Sequence, residues 1–206
     1  MIEAPRGPVT TPTWPSHSSP DRAASAKIVI AGGFGVGKTT LVGTVSEVVP
    51  LRTEAMVTDT STDVDNITAT PQKVSTTVAM DFGRLTLADD LILYLFGTPG
   101  QQRFWFMWDD LVRGAVGAIV LIDTRRLDDS FAAVDYFESR RLPFIVAVNE
   151  FDSAPRYPIT DIRAALAIAA DVPIICVDAR ERASVKNCLL EITAYALQTL
   201  DHAASR

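Results

Sequence analysis

The chain has 206 residues, enough for one domain and too few for two full ones. Hydrophobic residues make up 48% and charged residues 21%, so a packed core is within reach and wholesale disorder is excluded. A net charge of −6 argues against general nucleic-acid binding, and no apolar run approaches the roughly 18 residues that a membrane span needs.

In chain order, residues 1–25 read as a disordered amino-terminal tail. Pro5, Pro8, Pro12, Pro15 and Pro20 interrupt any helix, and the residues between them bury too little apolar surface to offset the entropy of ordering. Trp14 is the tail's candidate anchor for a partner. Residues 26–203 read as one folded domain, in which apolar runs of strand length alternate with helical periodicity. Strands are predicted at 27–31, 77–87, 91–96, 117–122, 144–149 and 173–177, and helices begin near Lys38, Phe104, Leu127, Ile159 and Ala183. This alternation predicts an α/β fold with a six-stranded, mostly parallel sheet. Only Ala88, Asp89 and Asp90 separate the second and third strands, so that pair is expected to form an antiparallel hairpin.

The polar stretch 51–75 reads as a connection without a strand, too long to be ordinary and therefore functional or disordered. Val185, Leu189, Ile192, Leu197 and Leu200 predict an amphipathic closing helix. Cys176 and Cys188 cannot build a disulfide framework, and the amino terminus lacks a secretory pattern. A cytoplasmic protein is expected, peripheral at the membrane only by way of partners.

The strongest motif is Gly32-Gly33-Phe34-Gly35-Val36-Gly37-Lys38-Thr39, which matches GxxxxGK[ST] between a predicted strand and a predicted helix. Such a loop turns several backbone N–H groups toward one phosphate, and the helix amino terminus, here running on through Thr40, adds a favourable dipole. Lys38 supplies charge for the β- and γ-phosphates, and the Thr39 hydroxyl is a candidate Mg²⁺ ligand. This is a P-loop.

The base is read from Asn149-Glu150-Phe151-Asp152 after the fifth strand. A carboxylate at Asp152 can accept both N1–H and N2–H of guanine, whereas adenine would leave a buried charge unmatched. Asn149 is placed to contact the base and brace the P-loop. Asp178-Ala179-Arg180, after the sixth strand, offers a backbone N–H to the guanine oxygen.

With these motifs the chain resembles the Ras-like small GTPases, whose fold is a three-layer P-loop NTPase sheet with one antiparallel strand, flanked by helices. More narrowly, 32–40, Thr76-Thr77-Val78-Ala79-Met80-Asp81-Phe82-Gly83 and Phe96-Gly97-Thr98-Pro99-Gly100-Gln101-Gln102 resemble the bacterial conservon GTPases, related to the gliding-motility polarity GTPases and common in actinobacteria. The resemblance implies a slow GTPase switching between GTP and GDP states, with a roadblock-fold regulatory protein and a sensor-kinase-like complex as partners. Residue by residue, it implies Thr77 as the second Mg²⁺ ligand, with Thr76 as the alternative. It also implies Gly100 as the N–H donor to the γ-phosphate and Gln101 as the residue that positions water.

Three positions depart from that pattern. Gly97 stands where the superfamily places the acid that holds Mg²⁺ through water; Asp123 is either its substitute or a cap of the following helix. Glu150 replaces a lysine, which implies weaker nucleotide affinity, with Arg180 a candidate to restore a cation nearby. Phe34 occupies a position where many relatives have glycine, and a ring there would crowd Gln101 and slow hydrolysis. Arg52, Arg103 or a partner is left to supply a stabilising arginine. In Phe104-Trp105-Phe106-Met107-Trp108-Asp109-Asp110-Leu111, the residues Phe104, Trp108 and Leu111 share an inward face, Trp105 and Phe106 point elsewhere, and Trp105 is the candidate partner contact. The rival readings are a pseudo-GTPase that holds nucleotide as a structural ligand, and a P-loop kinase or ATPase.

Overall fold

The computed structural model describes residues 24–49, 51–58, 75–88, 91–100, 102–152 and 154–204. The tail to residue 23, the segment 59–74 and Gln101 therefore lie outside the described residues. Strands β1 (Ala24–Ala31), β2 (Leu51–Thr58), β3 (Ser75–Ala88), β4 (Leu91–Gly97), β5 (Gly117–Ile122), β6 (Phe144–Asn149) and β7 (Ile174–Val177) form one sheet in the order β2-β3-β4-β1-β5-β6-β7. Helices α1 (Lys38–Val45), α2 (Trp108–Val112), α3 (Phe131–Arg140), α4 (Ile159–Ala165) and α5 (Arg182–Ala204) flank it.

The six expected strands are present, and β3 is the one that runs against all the others. The seventh, β2, corrects the reading of 51–75 as strandless. It is an edge strand held only by β3, from Leu51 opposite Phe82 to Thr58 opposite Ser75, and carries Arg52 and Glu54. Charge of that kind suits an edge and breaks the apolar run by which strands are recognised.

β5 and the second half of β1 are apolar throughout because both faces are covered there. Ile28, Ile30, Ile119 and Leu121 face α1 and α5, where they meet Leu41, Val45, Val185, Leu189 and Ile192. Their alternates Val29, Ala31, Val120 and Ile122 face the opposite layer, with Trp108, Val134, Phe137 and Ile162. All of these side chains are buried. The period of two along each strand thus divides the core into the two layers of a three-layer sandwich. On α5 the inward face ends early: Leu197 and Leu200 are exposed, while Ala196 is buried in their stead. No helix among the described residues is long and apolar enough to cross a membrane.

The parallel strands all end at one edge of the sandwich. β1 leads into the P-loop, β4 into Thr98-Pro99-Gly100, β5 into Asp123, β6 into Glu150 and β7 into Asp178. β1 lies between β4 and β5, so the connection after β1 and the connection after β4 run to opposite sides of it, the place where open α/β sheets form ligand crevices.

Candidate functional site

The P-loop joins β1 to α1 through Gly37, whose φ of 106° is left-handed and whose Cα backs onto Asn149. A Cβ there would stand 2.5 Å from Asn149 Nδ2, so both the turn and the approach require glycine. Asn149 Nδ2 donates to Val36 O at 2.9 Å, and Asn149 Oδ1 accepts from Ala179 N at 3.1 Å. One buried side chain thereby ties the P-loop to the loop after β7. The expected brace is present, and it engages the N–H of Ala179, one of the three residues whose backbone was offered to the base. The neighbouring Arg180 N–H is also engaged, donating to Asp178 Oδ1 at 2.9 Å.

Lys38 is buried, and its Nζ donates to Gly32 O at 2.8 Å and Gly33 O at 2.7 Å. Burial pulls its pKa down to about 8, against an opposing pull from the Asp81 charge. Gly100 backs onto the same ammonium so closely that an added methyl would sit 2.8 Å from it. A cleft of about 370 Å³ opens here, lined by Phe34, Gly35, Thr39, Thr40, Asp81 and Thr98 among others.

Asp81 is the residue that sequence reasoning missed. It lies on β3 directly opposite Gly97, and its Oδ2 accepts from Thr39 Oγ1 at 2.7 Å. A Cβ on Gly97 would come within 3.0 Å of both the Asp81 Cβ and its Oδ2. The acid absent from Gly97 is therefore supplied from the neighbouring strand, into the space that the missing side chain leaves. Asp123 does not serve there. It caps the turn after β5 and holds Arg125 through Nε and Nη2, the latter at 2.7 Å, and Arg125 holds its carboxyl below the usual range.

Thr39 Oγ1 and Asp81 are hard oxygen donors of the kind Mg²⁺ accepts, needing only one or two protein ligands beside phosphates and water. The Thr98 hydroxyl, buried at the cleft, makes no hydrogen bond among the described residues and is a further polar group that a hydrated ion or phosphate can satisfy. The residues fit the ion. Thr77, the expected second ligand, lies within β3 opposite Met56.

Phe34 is 65% exposed, and its carbonyl accepts from Arg126 Nη2 at 2.5 Å. Arg126 also pairs with Asp129 at 3.5 Å and brings to the P-loop a cation other than the Arg52 and Arg103 that were the candidates for that part. Of the aromatics after β4, Phe104, Trp108 and Leu111 are buried as expected. Trp105 packs against Trp108 at 5.4 Å, so Phe106, 61% exposed, is the outward ring in its place.

The second cleft, about 350 Å³, lies at the ends of β6 and β7. Glu150 pairs with Arg156 at 3.5 Å, and Phe151 carries the Arg125 guanidinium over its ring at 4.0 Å. Asp152, with an 85% exposed side chain, receives Arg180 Nη1 and Nη2 on its two oxygens at 3.0 Å each. Arg180 also grips Asp178 through Nε at 2.9 Å and Nη2 at 2.8 Å. These bonds lower the Asp152 pKa and bring Asp178 down to about 2, chiefly through the Arg180 side chain. Asp152 is thus neither buried nor unmatched, which corrects the reason given above for its rejecting adenine.

Residues 30–199 match a family model described as conserved hypothetical ATP binding protein. The uncharacterized protein MJ1339 of Methanocaldococcus jannaschii is 31% identical over 128 residues, which cover 61% of this chain and 70% of that protein. Among solved structures, the G domain of the T. maritima FeoB iron transporter superposes with a TM-score of 0.60 at 18% identity, over 84% of this chain and 99% of that one. The cytosolic domain of the same transporter, in a GDP form, gives 0.61 at 17% identity, over 84% of this chain and 64% of the other. The fold is that of a P-loop NTPase G domain.

Proposed function

The chain belongs to the family of conserved hypothetical ATP binding proteins, and we propose that it is a small regulatory switch that binds GTP and GDP and hydrolyses GTP slowly. The observation that carries the reading is the Asn149 brace. It fixes the phosphate cleft around Lys38 to the loop after β7, with Asp152 three residues along from it. A carboxylate so placed can accept the paired N–H donors of guanine. The likeness to a GDP-bound G domain agrees with this choice of base.

Hydrolysis by such a site is positioning and charge stabilisation. Lys38 and the N–H groups of Gly33, Phe34, Gly35, Val36 and Gly37 stabilise charge on the leaving diphosphate. The Gly100 N–H meets the γ-phosphate, and Gln101 orients the attacking water. Thr39, Asp81 and Thr77 are the oxygen donors for Mg²⁺, which when bound neutralises charge on the phosphate oxygens. Thr77 engages only in the GTP state, which makes the site a switch. The resemblance to conservon GTPases extends the proposal to a roadblock-fold regulator and a sensor-kinase-like complex.

The test is single-turnover GTP cleavage by the wild type and by Gln101→Leu. A large loss of rate in the variant supports a working hydrolase; equal rates in both reject the role of Gln101, and no cleavage in either supports a pseudo-GTPase.

A further inference from the structure

Guanine and an arginine side chain present a carboxylate with the same object: two parallel N–H donors in one plane. Arg180 Nη1 and Nη2 meet the two Asp152 oxygens at equal distances of 3.0 Å, which is how guanine N1–H and N2–H would meet them. The guanidinium is held there from behind. Asp178 accepts from Nε on its Oδ1 and from Nη2 on its Oδ2, its Oδ1 also accepts the Arg180 N–H, and the Asp178 N–H donates to Ser184 Oγ at 3.0 Å, which fixes the loop behind the guanidinium. Arg180 is therefore presented by its own loop, one element away from the carboxylate it satisfies.

We propose that Arg180 is a built-in guanine surrogate that sets the base selectivity of this site, by competing with guanine for Asp152 and by keeping Asp152 paired when adenine is bound. The inference rests on Asp152 being the base-reading group proposed above. Guanine must replace Arg180 on Asp152, but Arg180 keeps its bonds to Asp178, so the exchange loses only one of two bidentate contacts. Adenine offers no donor pair, and in most sites of this design it leaves a carboxylate unpaired, which is what rejects it. Here Arg180 stays on Asp152 and that penalty is absent. The site consequently accepts guanine nucleotides less tightly, and adenine nucleotides more readily, than a carboxylate alone would allow. Because both partners are largely exposed, the pair is worth a small factor and not a block.

The experiment is calorimetric binding of GDP and ADP, with Mg²⁺, to the full chain and to Arg180→Ala, Arg180→Lys, Asp152→Asn and the Asp152→Asn/Arg180→Ala pair. Arg180→Ala is expected to tighten GDP by about two- to fivefold while leaving ADP unchanged or weaker, so that the GDP-to-ADP preference rises. Arg180→Lys keeps the charge but lacks the fork, and is expected to raise the preference in the same direction. In the Asp152→Asn background the effect of Arg180→Ala should vanish. Weaker GDP binding in Arg180→Ala, or an unchanged preference while Asp152→Asn lowers it, overturns the surrogate and leaves the guanine reading standing. If Asp152→Asn itself leaves the preference unchanged, the base reading fails and the surrogate with it.

Discussion

Asp81 on β3 and Gly97 on β4 face each other across the antiparallel ladder, and the carboxylate of one fills the space left by the absent side chain of the other. Its bond to Thr39 Oγ1 carries the acid to the first residues of α1. The pair shows how a site with glycine at position 97 still presents a carboxylate beside Thr39, as the proposed Mg²⁺ would require.

Asp81→Asn is therefore expected to weaken Mg²⁺-dependent GDP binding by about tenfold, with little change in binding measured in excess EDTA. Gly97→Asp alone should destabilise the fold, because its Cβ meets Asp81 at 3.0 Å and brings a like charge. Combined with Asp81→Gly, the same change should restore the Mg²⁺ effect. Titration of Mg²⁺ at fixed nucleotide reads all three.

Lys38 gives a pH dependence whose sign follows from its environment. With a pKa of about 8 in the free protein, the side chain is charged below that pH and progressively neutral above it. A bound phosphate favours the charged form, so affinity should be greatest below pH 8 and fall above it by up to about tenfold per pH unit, with proton uptake on binding. Calorimetry at pH 8.5 in buffers of different ionisation enthalpy measures that uptake. Stability runs the opposite way: the unfolded lysine titrates near 10.5, so the cost of burying the charge is present below pH 8 and is relieved as pH rises from 8 to 10.5.

Asn149→Ala removes both bonds of the brace and leaves Val36 O and the Ala179 N–H without their partner. The expected loss is about 2–4 kcal/mol, since each buried group left unpaired costs about 1–3. Thermal unfolding should drop by roughly 5–15 °C. Excess GDP is expected to recover little of the loss, because the variant also misplaces the P-loop.

Phe34 stands at the mouth of the phosphate cleft, with its carbonyl held by Arg126. Phe34→Gly removes the ring while leaving the backbone acceptor in place. Single-turnover GTP hydrolysis should then rise by roughly ten- to a hundredfold, the scale on which misplacing reacting groups acts. An unchanged rate removes Phe34 from the account of slow hydrolysis.

The phosphate site was legible because its parts are contiguous: glycines, lysine and threonine lie within one loop, and the flanking strand and helix announce themselves by apolar runs. β2 was not, since an edge strand with Arg52 and Glu54 has no such run. Asp81 was hidden by register. Counting back from Ala88 opposite Leu91 places Phe82, not Asp81, opposite Gly97; an irregularity between Thr86 and Ala88 shifts the ladder by one residue and brings the acid to the site. The Arg180 contact with Asp152 was hidden for another reason. It joins side chains on two loops 28 residues apart, and no spacing rule reports which of several cations in reach will turn toward a carboxylate.

The most direct test of the central claim is to identify the nucleotide that stays with the purified full chain and to follow one turnover of GTP and of ATP with Mg²⁺. Bound GDP and slow cleavage of GTP in preference to ATP are expected. Bound adenine nucleotide with preferential cleavage of ATP would contradict that claim.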